Sequence, residues 1–187
     1  MALIDFKDYP NTDTPLNAEN LNHNFNELQE KIQIGTLIAQ KELSENSIEL
    51  FIDNLNLDPG IYKILICEFS TAGSASGHIL KLNDLYGTYK TFLNVCDANW
   101  VPDKNATGGI AYVNGWQKGT LIFYTEATLF FYNKDWISVQ ATTTTDDLMV
   151  IQSGRCTTSI DKINKISIAA FNSDMIGKGS FIKLYKM

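Results

Sequence analysis

IELFIDNLNLDPGIYKILICEF, residues 48–69, is the stretch whose reading decides the fold. Ile48, Leu50 and Ile52 alternate with Glu49, Phe51 and Asp53, the period of two that puts one face of a strand toward a core. Asp58-Pro59-Gly60 then breaks the chain, because proline presets one turn dihedral and glycine accepts the other. Ile61 to Phe69 follows as a long, mostly apolar strand. Strand, turn and strand in one stretch set the pattern for what comes after.

Toward the C-terminus the pattern repeats. Strands are expected at Ile79 to Leu82, Thr88 to Val95, Ile110 to Val113, Thr120 to Tyr124, Thr128 to Tyr132, Trp136 to Thr142, Leu148 to Gln152, Lys165 to Ala170 and Ser180 to Tyr185. Small-residue and polar loops separate them at Ser70 to Gly77 and Asn99 to Gly109. Asn114-Gly115-Trp116-Gln117-Lys118-Gly119 reads as a hairpin end joining the strands on either side. Many short strands with a turn every ten residues or so point to an antiparallel β-sandwich over residues 36–187. No internal repeat is evident.

Toward the N-terminus the pattern is helical. Thr14-Pro15 is a capping hydroxyl followed by proline at the first helical position, and Gly35 is a natural stop. The implied helix runs from Pro15 to Ile34, roughly 30 Å at 1.5 Å per residue. Its apolar positions, Ala18, Leu21, Phe25, Leu28 and Ile32, fall at steps of three and four and form a narrow a/d seam between polar flanks. A lone helix of this composition is marginal in water, so the seam is read as self-associating, against packing on the chain's own β domain. Residues 1–14 lack periodicity but carry Leu3, Ile4, Phe6 and Tyr9, the anchors of an extended attachment arm. The expected fold is therefore mainly β: arm 1–14, coiled-coil-like oligomerising helix 15–35, antiparallel β-sandwich 36–187.

Composition narrows the function. With 187 residues, 44% hydrophobic and 19% charged, the chain can form a real core. A net charge of −6 repels phosphate backbones and anionic headgroups, so neither nucleic acid nor membrane insertion is expected. The N-terminus has no basic region before its apolar residues, and no apolar run approaches a membrane span, so folding in a cytoplasm is expected. Cys67, Cys96 and Cys156 are odd in number and widely spaced. Unpaired thiols are expected, with Cys67 a small buried hydrophobe.

Catalytic and metal-binding patterns are sparse, and neither a cofactor nor a metal is expected. His23 and His78 lack partners at metal-ligand spacing. Gly73-Ser74-Ala75-Ser76-Gly77 is not a nucleophile elbow, since Ala75 stands where the serine belongs. Gly177-Lys178-Gly179-Ser180 is not a phosphate loop, since Gly179 follows the lysine. Asp146 and Asp147 read as a solvated turn, and Glu126 and Asp135 are carboxylates without a sequence partner. Trp100 and Trp116, in expected loops, are the candidate ligand contacts, because an indole stacks on a sugar face. Trp136, opening a strand, is expected in the core.

The run Tyr9-Pro10-Asn11-Thr12-Asp13-Thr14-Pro15-Leu16-Asn17-Ala18-Glu19-Asn20-Leu21-Asn22 resembles the start of many tail-fibre, baseplate and head-fibre proteins of phages infecting low-GC Gram-positive bacteria. There a TPLNAxNLN run opens an oligomerising helix behind a virion-attachment arm. Gly177-Lys178-Gly179-Ser180-Phe181-Ile182-Lys183-Leu184-Tyr185 is similar to the closing strand of their β domains. The resemblance spans 23 of the 187 residues. It implies a homotrimer, held on the virion through contacts of the N-terminal arm with other virion proteins, displaying a receptor-binding β domain toward a host cell-surface glycan. The alternatives are a head fibre or capsid decoration protein without an essential ligand and, from another class, a cell-wall polymer depolymerase.

Overall fold

The computed structural model describes residues 35–70, 77–95, 108–114, 121–145, 149–170 and 175–187. The chain divides between Ile34 and Gly35, and the described unit is Gly35–Met187. Its strands are, in chain order, β1 (Thr36–Glu42), β2 (Glu49–Ile52), β3 (Gly60–Ser70), β4 (His78–Leu82), β5 (Tyr89–Val95), β6 (Ala111–Asn114), β7 (Leu121–Asn133), β8 (Trp136–Thr144), β9 (Met149–Cys156), β10 (Ile166–Ala170) and β11 (Phe181–Lys186). They form a seven-stranded sheet in the order β1-β11-β3-β7-β8-β9-β5 and a four-stranded sheet in the order β2-β10-β4-β6. The strand pairings are antiparallel.

The alternation in the opening stretch becomes the core at Leu50 and Ile52, whereas Ile48 precedes β2 and is 62% exposed. Leu50 and Ile52 of β2 lie level with Ile168 and Ile166 of β10, which lie level with Leu80 and Leu82 of β4. All six are buried. They pack in one cluster with Tyr62, Ile64 and Ile66 of β3, Leu129 and Phe131 of β7, and Ile182 and Leu184 of β11. Each such side chain contributes about 1.5–3 kcal/mol on burial, so the two inner faces hold the sandwich together. Tyr89 adds a polar tie across the sheets: its hydroxyl donates to the Leu82 carbonyl at 3.0 Å and accepts from the Leu82 N–H at 2.9 Å. Asn83 and Asp84, both at positive φ, turn the chain after β4, with the Leu85 N–H donating to the Leu82 carbonyl.

Four expectations are corrected. The fold class is β alone among the described residues, two antiparallel sheets with no helix, and not a sandwich led by a coiled-coil-like helix. The seam Ala18, Leu21, Phe25, Leu28 and Ile32 lies outside the described residues, as does the arm. Gly35, read as a helix stop, sits at φ +91 beside the Lys186 carbonyl, where any Cβ would collide.

The strands Thr120 to Tyr124 and Thr128 to Tyr132 are one strand, β7, in continuous register with β3 from Leu121 to Phe131. The polar Thr125 and Glu126 that divided them in sequence are the two faces of an unbroken pleat. Among the described residues the strands on either side of Asn114–Gly119 do not pair as a hairpin: β6 pairs with β4 in the small sheet, while β7 pairs with β3 and β8 in the large one. Trp136 does open a strand, yet it is 49% exposed on the outer face and not in the core.

β6 is the edge of the small sheet, and its free backbone edge is turned inward. The Tyr112 N–H donates to Gln152 Oε1 at 2.7 Å, and the Tyr112 carbonyl accepts from Gln152 Nε2 at 2.5 Å and from Thr143 Oγ1 at 3.0 Å. The Thr125 hydroxyl reaches the Val113 carbonyl at 3.4 Å and the Thr143 hydroxyl at 2.8 Å. Gln152 thus does for Tyr112 what a neighbouring strand would do. One step along β9, Gly154 leaves room for the Ile110 carbonyl, which a Cβ there would overlap.

Gln152→Leu is therefore expected to cost about 1–3 kcal/mol, because it strands the buried Tyr112 N–H. Gly154→Ala is expected to cost a similar amount by forcing backbone aside. Gln140→Leu, on the exposed face, should stay within about 0.5 kcal/mol of wild type. Urea denaturation of the three variants checks this ranking.

Candidate functional site: the outer face of the seven-stranded sheet

Every second residue of the large sheet points away from the core, and the registers arrange these residues in rungs. Lys63, Thr128, Gln140 and Ser153 form one rung across β3, β7, β8 and β9. The next holds Lys183, Leu65, Glu126, Thr142 and Ile151. Beyond that come Phe181, Cys67, Tyr124, Thr144 and Met149. On the opposite side lie Phe130, Ser138, Arg155 and Lys90. In the middle of the face the hydroxyl and amide groups of Thr128, Gln140, Thr142 and Ser153 lie beside the charged Lys63, Glu126 and Lys183, while aromatic residues stand toward its two ends.

Two shallow depressions of ≈ 530 Å³ follow this lattice and share Glu126 and Thr142. The first is floored by Thr128, Gln140 and Ser153. Tyr124, Phe181 and Tyr185 line the second. Tyr124 is 56% exposed, so its ring covers little of the protein and remains available to a ligand. At the other end, Phe130 and Tyr132 stack at 6.0 Å and 10°, and the Arg155 guanidinium lies 4.3 Å over the Trp136 ring.

The central charge is compensated within the protein. Glu126 pairs with Lys63, whose ammonium is drawn below the usual lysine range by burial. Asp135, in the β7–β8 turn, accepts from the Ser159 hydroxyl. Glu126 stands seven strand residues before Asn133, roughly 20 Å or more at ~3.4 Å per residue. That is too far from Asp135 for the paired-carboxylate geometry of about 5–10 Å. The two acids left open by the sequence are not brought together.

Trp100 and Trp116, the candidate contacts read from sequence, lie outside the described residues, as do Leu3, Ile4, Phe6 and Tyr9. Asp146 and Asp147 lie outside them too. The outward rungs were missed because alternation marks which side chains leave the core without saying that a neighbouring strand carries a matching one. A further pair was missed as well. His78 and Glu68 are both buried, and His78 Nδ1 hydrogen-bonds Glu68 Oε1 between the two sheets. The signal was a glutamate at an inward position of β3, in phase with Tyr62, Ile64 and Ile66. Among the described residues no group of three or more His, Cys, Asp or Glu is placed to hold a metal.

No family model matches the chain, and neither a curated protein nor a solved structure matches it.

Cys67 and Cys156 are buried and unpaired. Burial pushes both thiols above the ordinary range, partly offset by hydrogen bonds from Tyr124 at Cys67 and from the backbone at Thr158 for Cys156. Burial likewise pushes the Tyr89 phenol well above its usual value. Each raised group is held neutral in the fold while the unfolded chain ionises, from about pH 8.5 for a thiol and about pH 10 for a phenol. Their contribution to stability is complete below those values and is lost as pH rises beyond them. Denaturation midpoints should accordingly fall on the alkaline side. Cys67 and Cys156 should resist iodoacetamide in the native protein at neutral pH and react fully in denaturant, as mass spectrometry would read.

Proposed function

We propose that this chain is a non-enzymatic structural protein of a phage or phage-derived particle, a homotrimer attached through its N-terminal arm and binding a host cell-surface glycan with its β-sandwich. The attachment half of this reading rests on the TPLNAENLN run at residues 14–22 and on the apolar anchors Leu3, Ile4, Phe6 and Tyr9. The binding half rests on one observation, the outer face of the seven-stranded sheet. A sugar ring offers an apolar face and a fringe of hydroxyls. Exposed Tyr124 and Trp136 supply stacking surfaces of matching polarity, and Thr128, Gln140, Thr142 and Ser153 supply donors and acceptors. These groups sit on strands whose opposite faces are fixed in the core, so little entropy is lost in ordering them. Copies on one particle multiply a weak site into strong adhesion, by about two to four orders of magnitude.

The purified chain is expected to sediment as a trimer and to compete with whole particles for host cells. Tyr124→Ala with Gln140→Ala removes one stacking surface and one amide, each worth about 0.5–1.5 kcal/mol. The double variant should bind cells about tenfold more weakly while melting like wild type. Undiminished competition by that variant would remove the sheet face from the binding role, and a monomer in sedimentation would remove the trimer.

A further inference from the structure

Lys90 and Arg155 stand directly opposite each other in the β5–β9 register, both exposed on the outer face. Like charges in that relation repel and weaken a sheet. Among the described residues neither makes an ion pair, although Lys63, Lys162 and Lys165 all do. In a chain with 21 acidic residues against 15 basic ones, two uncompensated cations side by side are a local reversal of the overall charge.

Three further features make the pair a receptor for an anion. The Arg155 guanidinium lies 4.3 Å over the Trp136 ring, which restrains its plane while leaving its N–H edge available for a two-point contact. Ser138 faces Arg155 from β8, adding a hydroxyl on the same rung. Lys90, Arg155, Ser138, Gln140 and Ser153 line a single depression of ≈ 280 Å³. Gln140 and Ser153 are shared with the hydroxyl- and amide-floored groove beside it, so a chain lying in that groove would bring its next unit onto the two cations.

We propose that this corner is a subsite for an oxyanion, phosphate or carboxylate, carried on an otherwise neutral polyhydroxyl polymer. The proposal rests on the receptor-binding reading above and specifies the ligand class. The bound oxyanion receives the guanidinium fork and the Lys90 ammonium, and it relieves the repulsion between them. Specificity is divided accordingly: the groove measures hydroxyls and ring faces, and the corner measures charge at one repeat.

Calorimetry on the full chain tests it with three probes: a glycerol phosphate hexamer, a hyaluronate hexasaccharide and uncharged maltohexaose. Wild type should bind at least one charged probe about tenfold or more tighter than maltohexaose in low salt. That preference should shrink between about 10 mM and about 1 M salt, where the screening length falls from about 30 to about 3 Å. Preference for the phosphate hexamer alone assigns phosphodiesters, and preference for hyaluronate alone assigns carboxylates. Lys90→Gln with Arg155→Gln should erase the preference and leave maltohexaose affinity unchanged. Arg155→Lys, which keeps the charge and loses the fork, should give an intermediate loss. Lys90→Gln alone should melt no lower than wild type, since it removes a repulsion.

Equal affinity for all three probes in wild type overturns the subsite and leaves the groove standing. Charge preference surviving in the double glutamine variant also overturns it. Failure of every probe to bind overturns the groove together with the subsite.

Discussion

Tyr112 exchanges two hydrogen bonds with the side chain of Gln152, and much of the sandwich is arranged so that it can. An edge strand facing a core presents N–H and carbonyl groups that water cannot reach, and each left unpaired costs about 1–3 kcal/mol. β6 is such an edge. Its solution is a short polar ladder of Gln152, Thr143 and Thr125 on the otherwise apolar inner face of the seven-stranded sheet. Gly154 on the same strand lets the chain approach closely enough for those bonds to form. Closing the small sheet with a side-chain ladder also protects an edge that could otherwise pair with another chain.

The inner and outer faces of the large sheet serve opposite ends. Inside, Ile64, Leu129, Val139 and Ile182 are chosen for volume and fill the space between the sheets. Outside, the same strands carry Lys63, Thr128, Gln140 and Lys183, which nothing packs into one shape. Because each outward residue shares its backbone with a buried neighbour, the outer rungs inherit the rigidity of the core. Polar groups and half-exposed aromatic rings held this way are suited to recognition, where most of the cost lies in ordering flexible groups. The acid–base pair Glu68 and His78 sits elsewhere, buried between the sheets, and contributes to their alignment instead of to that surface.

Strand identity was legible because period two is a local signal. Leu50 and Ile52 announced their inward face without reference to any neighbour, and the apolar runs at Ile61 to Phe69 and Ser180 to Tyr185 announced strands. Errors arose wherever a local signal had to stand for a distant pairing. Asn114-Gly115 suggested a hairpin, yet β6 and β7 belong to different sheets. Thr125 and Glu126 suggested a break, yet β3 pairs straight through them. Trp136 suggested core, yet its position on β8 is in phase with Ser138 and Gln140 on the outer face. Thr36–Glu42 went unrecognised because an edge strand exposed on both faces has no alternation to detect, as its burial pattern confirms.

By itself the sequence determined that the described residues from 36 onward are β in class, that Leu50 and Ile52 share an inward face, that the thiols of Cys67 and Cys156 lack a disulfide-like spacing, and that the chain is acidic. These properties depend on residue type and on spacing of a few positions. Only the tertiary structure decided which strands share a sheet and in what register. From those two facts come the inward-facing edge of β6, the meeting of Glu68 with His78 across the core, and the juxtaposition of Lys90 with Arg155, 65 positions further along the chain. The physical reason is that strand pairing is selected by the packing of whole faces, which no single strand carries in its own sequence.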